Sequence, residues 1–580
     1  MWLYRCPSAF IAFLCILPYA LCDYKLTLLH TNDVHARFEE TDVNSGSCDE
    51  SEKAAGECYA GVSRRMTEVE RIRERDENVL LLDAGDEYQG TMWFFVYKGK
   101  ATSHFMNWLD YDAMAIGNHE FDNGIDGLTP FLDNVTFPVL SANIDDTDEP
   151  SIQGKYSKST VLTRGNEKIA IIGYTTTETP VISSPGKLKF LNEVDAIQQE
   201  LNRLKNEDPT INKFIALGHS GIVVDIEIAN KVVGIDVVIG GHSNTFLYTG
   251  VPPSTEVPMD EYPILIHPPH DSNLDVLVVQ DYAYGKYLGE LEVTFDDDGN
   301  LIGWHGNPIL LDNSTAEDPD TLSEIMKWTQ PLEEYRYNII GRTNVNLIGD
   351  RMVCRLEECN MGNMVTDAVI HENIKYPDEV KWNHVSMAIW NSGGIRASLE
   401  IGDITVAELM TVFPFGNTVD IIVLKGEHLL GALEHSVHRY SAIQAHGEFL
   451  QMSGIRVEYD ITRPSGDRVV DVQVQCVECE NHVPVYEPLD LNKEYAVITT
   501  NFIANGGDGY DVIRDNKIEH ETGSMELEVI ADYIETLSPL YNGLESRIQF
   551  ADTISAAASY YKEMDLMAFT VLAVFTYFIN

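Results

Sequence analysis

Positive charge is scarce in this chain: 40 lysines and arginines stand against 91 aspartates and glutamates, a formal net charge of −51. A surface of that sign repels a phosphate backbone over most of its area, which excludes nucleic acid as a partner. A small phosphorylated molecule is not excluded, provided that metal ions or arginines reverse the sign locally. Also lacking are internal repeats, low-complexity tracts and any apolar run of the roughly 20 residues that a membrane span needs. What remains is a globular composition, 44% hydrophobic and 23% charged. At 580 residues the chain exceeds one ordinary core, so two domains are expected.

Both ends carry short apolar runs with addressing signals. Residues 1–22 hold one early cation, Arg5, an apolar run from Phe10 to Leu17, and the small-residue site Ala20-Leu21-Cys22 before Asp23. This reads as a cleaved secretory signal rather than a short membrane anchor. Leu566 to Asn580 is apolar and uncharged, with no basic flank after it. Upstream lie Ser555-Ala556-Ala557-Ala558 and a polar spacer from Tyr560 to Asp565. Small residues, spacer and apolar tail together (residues 551–580) form a GPI-attachment signal; a single-span tail and a buried helix are the alternatives. The expected location is extracellular, at the cell surface, held by a lipid anchor.

Cysteine is sparse, nine residues, and three of them fall in the leader. Cys48 and Cys58, Cys354 and Cys359, and Cys476 and Cys479 remain as three close sequence pairs, for which local disulfides are the simplest arrangement. A four-thiolate zinc site from the last four is the alternative, and an oxidising compartment disfavours it. Asn134-Val135-Thr136 and Asn313-Ser314-Thr315 are glycosylation acceptors consistent with export.

From Lys25 to about Asn313, short apolar runs alternate with helical stretches. Strands are expected at Leu26–His30, Val79–Leu82, Ala113–Ile116, Ile169–Tyr174, Phe214–Leu217 and Val237–Ile239, with helices at Val62–Arg75 and Val194–Asn206. Such alternation implies an α/β layered core. A helical run from Thr321 to about Tyr337 marks the boundary, and new strands follow near Val385–Trp390, Thr418–Leu424, Ile455–Tyr459 and Tyr495–Thr500.

Five of those first six strands end in polar clusters. They are His30-Thr31-Asn32-Asp33-Val34-His35, Asp83-Ala84-Gly85-Asp86, Gly117-Asn118-His119-Glu120-Phe121-Asp122, Gly218-His219-Ser220 and Gly240-Gly241-His242-Ser243-Asn244. In open α/β sheets ligands collect beyond the carboxyl ends of strands, so five ends can converge on one crevice. Carboxylate and imidazole donors suit divalent zinc or manganese. A carboxylate such as Asp86 has two oxygens and can bridge two cations. Each piece alone has a bland structural reading as a turn; the ordered set carries the inference.

With these residues the chain resembles the calcineurin-like metallophosphoesterases, and specifically the ecto-5′-nucleotidases, over nearly its whole length. The resemblance implies an N-terminal metallophosphoesterase layered sandwich (residues 23–315), a linking helix (316–337) and a C-terminal α/β substrate domain (338–550). It assigns Asp33, His35 and Asp86 to a first metal, and Asp86, Asn118, His219 and His242 to a second. Asn244 is a further ligand or substrate contact. His119 would donate to phosphoryl oxygens or assist the leaving group, oriented by Asp122. Two divalent ions, zinc by preference, would activate water in line with phosphorus.

The second half contains Cys354-Arg355, Asn391-Ser392-Gly393-Gly394-Ile395-Arg396, Phe413-Pro414-Phe415-Gly416 and Asn501-Phe502 through Gly506-Gly507-Asp508-Gly509. Taken singly these are glycine-rich turns with core phenylalanines. By resemblance, Arg355, Arg396 and Arg37 match positions that grip phosphate or carboxylate oxygens, as a planar guanidinium does well. Phe415 and Phe502 match two rings that sandwich the purine, Asp508 a carboxylate that accepts from ribose hydroxyls, and Asn391 a further substrate contact. A second-domain disulfide of the vertebrate ecto-enzymes has no counterpart, because Val365 and Met387 occupy the matching places. The implied activity is hydrolysis of nucleoside 5′-monophosphates, AMP preferred, by a homodimer joined through the second domain. The alternatives are an apyrase-like enzyme for ADP or ATP, hydrolysis of sugar nucleotides or cyclic phosphates, and a non-catalytic binding protein of the same fold.

Overall fold

In a computed structural model of the chain, residues 23–43, 45–48, 50–374 and 381–551 are described. The leader (1–22) and the tail from residue 552, on which the secretion and anchor expectations rest, lie outside the described residues. Among the described residues no helix is long and apolar enough to cross a membrane.

The first half holds two sheets. In the first the order is Leu301–Gly306, Tyr287–Phe295, Tyr24–Thr31, Val79–Asp83, Ala113–Ala115 and Val139–Leu140, with Ile309–Leu310 paired to Tyr287–Phe295. In the second it is Ile264–Ile266, Val276–Val279, Val237–Ile239, Lys213–His219, Glu167–Thr175 and Ser159–Arg164. All six expected strands are present, together with the helix expected at Val62–Arg75 and the one expected at Val194–Asn206, which spans Glu193–Glu207.

Side-chain alternation makes the layers. Leu26, Leu28, Leu80, Leu82, Ala113 and Ala115 share one buried cluster with Ile171, Leu217 and Val238 of the second sheet. The intervening Leu29, Leu81 and Met114 belong to another cluster, with Val69 and Phe105 of the covering helices. Both faces of the parallel strands are therefore buried, as parallel sheets require. The strands that carry the polar clusters run parallel within each sheet, so all five carboxyl ends emerge along one edge.

The expected helix from Thr321 to Tyr337 is interrupted. Asp318 caps an α-helix at Pro319–Thr329, a 3-10 turn follows at Gln330–Leu332, and a last α-helical turn spans Glu333–Arg336. Pro331 is the physical reason: it has no N–H to donate, and its ring crowds the preceding turn. In the second half a five-stranded sheet runs Leu450–Ser453, Ala388–Asn391, Glu494–Thr500, Val419–Lys425 and Glu519–Glu521. Its strand at Ala388–Asn391 starts three residues later than the apolar pattern suggests. A four-stranded sheet built on Ile455–Tyr459 packs beside it, and the two share one buried cluster. The cysteines form the three local disulfides Cys48–Cys58, Cys354–Cys359 and Cys476–Cys479, not a thiolate metal site.

Candidate active site

Strand ends from both sheets of the first half bring six titratable groups together. The backbone there is unusual for residues with side chains. Asp33, His35, Asp86, His242 and Asn244 all have φ between 51° and 71°, the left-handed region that favours glycine. Such conformations persist only where the surroundings over-determine them, and they cluster at functional sites. Here they turn five side chains inward from chain ends that would otherwise continue outward.

Two overlapping donor groups result, His35 with Asp86 and His119, and Asp86 with His219 and His242. Asp86 belongs to both. Asp33 lies beside each, its Oδ1 3.9 Å from His35 Nε2 and 3.8 Å from His219 Nε2. The other ring nitrogens are fixed from outside: His35 Nδ1 lies 2.9 Å from the Tyr88 carbonyl and His219 Nδ1 2.8 Å from the Ala84 carbonyl. That aims both Nε2 atoms at the centre, the arrangement of metal-ligating histidines with carbonyl partners behind them. His219 Nε2 is buried with no hydrogen-bond partner of good geometry, although Asp86 Oδ2 is 2.8 Å away. Orphaned imidazole nitrogens beside buried carboxylates fit divalent cations. Asn118 faces the same centre, its Oδ1 2.9 Å from His242 Nδ1.

The electrostatics say the same. Burial alone lowers the pKa of a histidine, yet Asp86 and Asp33 outweigh it and hold His219 up at about 10. In that state the proton does the work of a cation, and a metal would displace it. Asp86 is held well below the carboxylate range, because His219 and His119 overcome its burial. His35 and His242 lie well below the ordinary value through burial, then Arg396 and His219 respectively. They are neutral and ready to ligate.

His119 is placed apart from its neighbours by Asp122. Its Nδ1 is 2.6 Å from Asp122 Oδ2, and Asp122 also accepts from Gln89 Nε2 and Ser183 Oγ. Burial opposes protonation of His119, but Asp122 and Asp86 prevail and raise its pKa. The His119 ring stacks at 5.7 Å on Phe415, which comes from the second half of the chain.

That contact opens onto a cleft lined by both halves. Phe415, Phe502, Asn391, Asp508, Arg355, Arg396 and Asn244 all line it. Asp508 sits in a left-handed turn and accepts from Asn391 Nδ2 at 2.7 Å. Burial, then Glu448, pushes its carboxyl up to about 7. Arg396 Nη2 reaches across to His35 Nε2 at 3.0 Å. Arg37 does not line the cleft directly; it packs behind, 4.1 Å over the Tyr284 ring.

Several residues here carry no signal in the sequence. Arg351 joins Arg355, both donating to the Ala445 carbonyl at 3.3 and 3.2 Å, and both keep a buried Nε without a partner. Burial, then Arg351, lowers Arg355 to about 9, which still leaves it cationic at neutral pH. Clustered guanidiniums with unsatisfied donors are an anion site. Arg439 bridges the halves by pairing with Glu178 as well as Glu448. The segment Gln280–Tyr284 pins two of the loops. Gln280 donates to Asp225 and to the Gly241 carbonyl and accepts from the Thr245 amide, while Asn32 is held by the Asp281 amide and the Tyr282 carbonyl. Gln280 and Asp281 follow the strand Val276–Val279, which the apolar pattern did not single out.

Comparisons with known proteins cover both halves of the chain. Residues 26–246 match the model of the calcineurin-like phosphoesterases, and residues 339–515 that of the 5′-nucleotidase C-terminal domain. The 5′-nucleotidase of Bos taurus is 51% identical over 558 residues, 95% of this chain and 94% of that protein. The 5′-nucleotidase of Homo sapiens is 50% identical over 535 residues, 91% of each. The crystal structure of the 5′-nucleotidase precursor from Thermus thermophilus superposes with a TM-score of 0.83 at 38% identity, covering 91% of this chain and 100% of that one.

The donor cluster is tight enough that one methyl group should disturb it. A Cβ on Gly241 would lie 2.8 Å from His219 Nδ1 and 3.0 Å from Asp33 Oδ2. Gly241→Ala is expected to weaken divalent-metal binding at least about 10-fold, read by metal titration of the chelator-stripped protein. An unchanged titration midpoint would contradict the described geometry.

Proposed function

The chain belongs to the 5′-nucleotidase family, built on a calcineurin-like phosphoesterase domain, and from that membership we infer an enzyme that hydrolyses nucleoside 5′-monophosphates to nucleoside and phosphate. The observation that carries the reading is the shared carboxylate: two donor groups meet at Asp86, beside an arginine-rich and aromatic cleft.

The family implies divalent metal ions. In our reading Asp33, His35 and Asp86 hold the first, and Asp86, Asn118, His219 and His242 the second, with Asn244 at its edge. The imidazole-rich donor set favours zinc. Bound there, the ions supply an activated water and neutralise charge on the phosphate.

The chain's own residues do the rest. His119, whose protonated form Asp122 and Asp86 favour against its burial, donates to the phosphoryl oxygens or to the leaving 5′-oxygen. Arg355 and Arg396 take the remaining phosphate oxygens, and Arg37 supports them from behind. Phe415 and Phe502 stack on the base. Asp508, steadied by Asn391, accepts from the ribose hydroxyls.

The reading extends to organisation and place. We take residues 23–315 as the metal-bearing domain, 316–337 as the connector and 338–550 as the nucleoside-binding domain. AMP is the preferred substrate. The protein works outside the cell as a GPI-anchored homodimer joined through the second domain. Support for export lies in the leader, the tail motif and the three disulfides. One observation favours a second reading, hydrolysis of ADP or ATP: Arg351 adds a guanidinium beyond those a single phosphate needs.

Purified protein is expected to release phosphate from AMP faster than from ADP or ATP, and to stop when metal is chelated. His119→Ala should lower kcat by about 10²–10⁴-fold while leaving metal content unchanged. Faster release from ADP or ATP would move the assignment to the apyrase-like reading. The Asp508 carboxyl, near 7 rather than the ordinary value of about 4, gains its charge only as pH rises through 7. The charged form is the better acceptor for ribose. The ratio of KM for Asp508→Asn to KM for the parent should therefore grow, to roughly tenfold, as pH rises through that window. A pH-independent ratio would contradict this role.

A further inference from the structure

Glu120 follows His119 in the chain and takes no part in the chemistry above, yet its carboxylate is fully buried at the centre of the site's wall. Oε2 accepts from the backbone N–H of Gly117 at 2.7 Å and of Asp86 at 3.0 Å. Oε1 accepts from the N–H of Glu87 at 2.9 Å and of Tyr88 at 3.1 Å. All four partners are donors. Both carboxyl oxygens are thus occupied as acceptors, and each takes two N–H groups.

Three of those donors are consecutive, residues 86 to 88. Asp86 has φ 61°, and a left-handed residue turns successive N–H groups to one side, making a concavity that takes an anion. Glu120 fills it. The strained backbone that swings the Asp86 side chain inward is thus closed by a carboxylate from another loop. The tie is reciprocal, since the His119 N–H donates to Asp86 Oδ1 at 2.8 Å. A Cβ on Gly117 would stand 2.3 Å from Asp86 Oδ1 and 2.8 Å from Glu120 Oε2, so the loops meet without room to shift.

We propose that Glu120 is a positioning residue that locks the left-handed Asp86 loop to the Asn118–His119 turn, and so sets the geometry of the shared ligand. The inference rests on the reading of Asp86 as a ligand to both metals. A carboxamide at this position has one acceptor oxygen, and its NH2 would face N–H donors. Glu120→Gln should therefore release at least one side of the tie.

The test is a zinc titration by calorimetry of the chelator-stripped, full-length protein, set beside steady-state kinetics on AMP. Glu120→Gln is expected to weaken zinc binding by roughly 10–100-fold. At saturating zinc its KM for AMP should stay within about twofold of the parent, because the nucleoside pocket is untouched, a split that simple loss of stability would not produce. If Glu120→Gln does not fold, Glu120→Asp retains the charge with a shorter reach and should shift the midpoint in the same direction by several-fold. Zinc affinity equal to the parent in the folded variant would overturn the proposal. Parent protein that binds zinc but releases no phosphate from AMP would instead overturn the functional reading and leave the role of Glu120 to the titration.

Discussion

The structure depends on one electrostatic constraint: carboxylates and imidazoles that cannot be left unpaired are buried at a single point. Asp33 and Asp86 are almost without solvent contact, and His219 and His35 are as deeply placed. Buried charge of this density is costly unless opposite charge is supplied. Asp86 and Asp33 accordingly hold the His219 imidazole up at about 10 against its burial, which favours its cationic form. That arrangement is poised for exchange with a cation. The left-handed residues, the carbonyl partners of the histidines and the donors around Glu120 all hold the cluster against its own repulsion.

The fold answers that constraint by division of labour. Two sheets deliver the ligands from strand ends, so rigid parallel ladders fix them from behind. The second half supplies what the first-half lining lacks, arginines and flat apolar rings, beside the carboxylates of Glu448 and Asp508. A chain with net charge −51 can hold a phosphate only where that charge is locally reversed, and Arg351, Arg355, Arg396 and Arg439 line the cleft. The His119–Phe415 stack and the Arg439–Glu178 pair show the halves meeting over the cleft itself.

Much of this was legible in the residues. The six first-half strands appeared in the apolar pattern because buried parallel strands leave short continuous apolar runs, and the two helices because their apolar residues recur at helical spacing. The cysteine pairs were legible because their spacing is short. The five polar strand ends stood out because metal-ligand residue types repeat at equivalent positions. Other features left no trace. Pro331 was in plain view, but the amphipathic run around it masked the break in the connector. Tyr287–Phe295 inserts beside Tyr24–Thr31 across more than 250 residues, which local periodicity does not encode. Gln280 and Arg351 act through contacts with distant loops, and nothing in their own neighbourhoods announces it. Left-handed conformations at Asp33 and Asp86 are set by the tertiary frame; glycine would have signalled them, aspartate does not.

The central claim is that one carboxylate, Asp86, joins two metal sites. Anomalous diffraction at the zinc edge from crystals soaked in zinc tests it most directly. The account predicts two peaks, one on each side of the Asp86 carboxylate and about 3.5–4 Å apart, with His35 beside one and His219 beside the other. A single peak, or two that do not share Asp86, would contradict it.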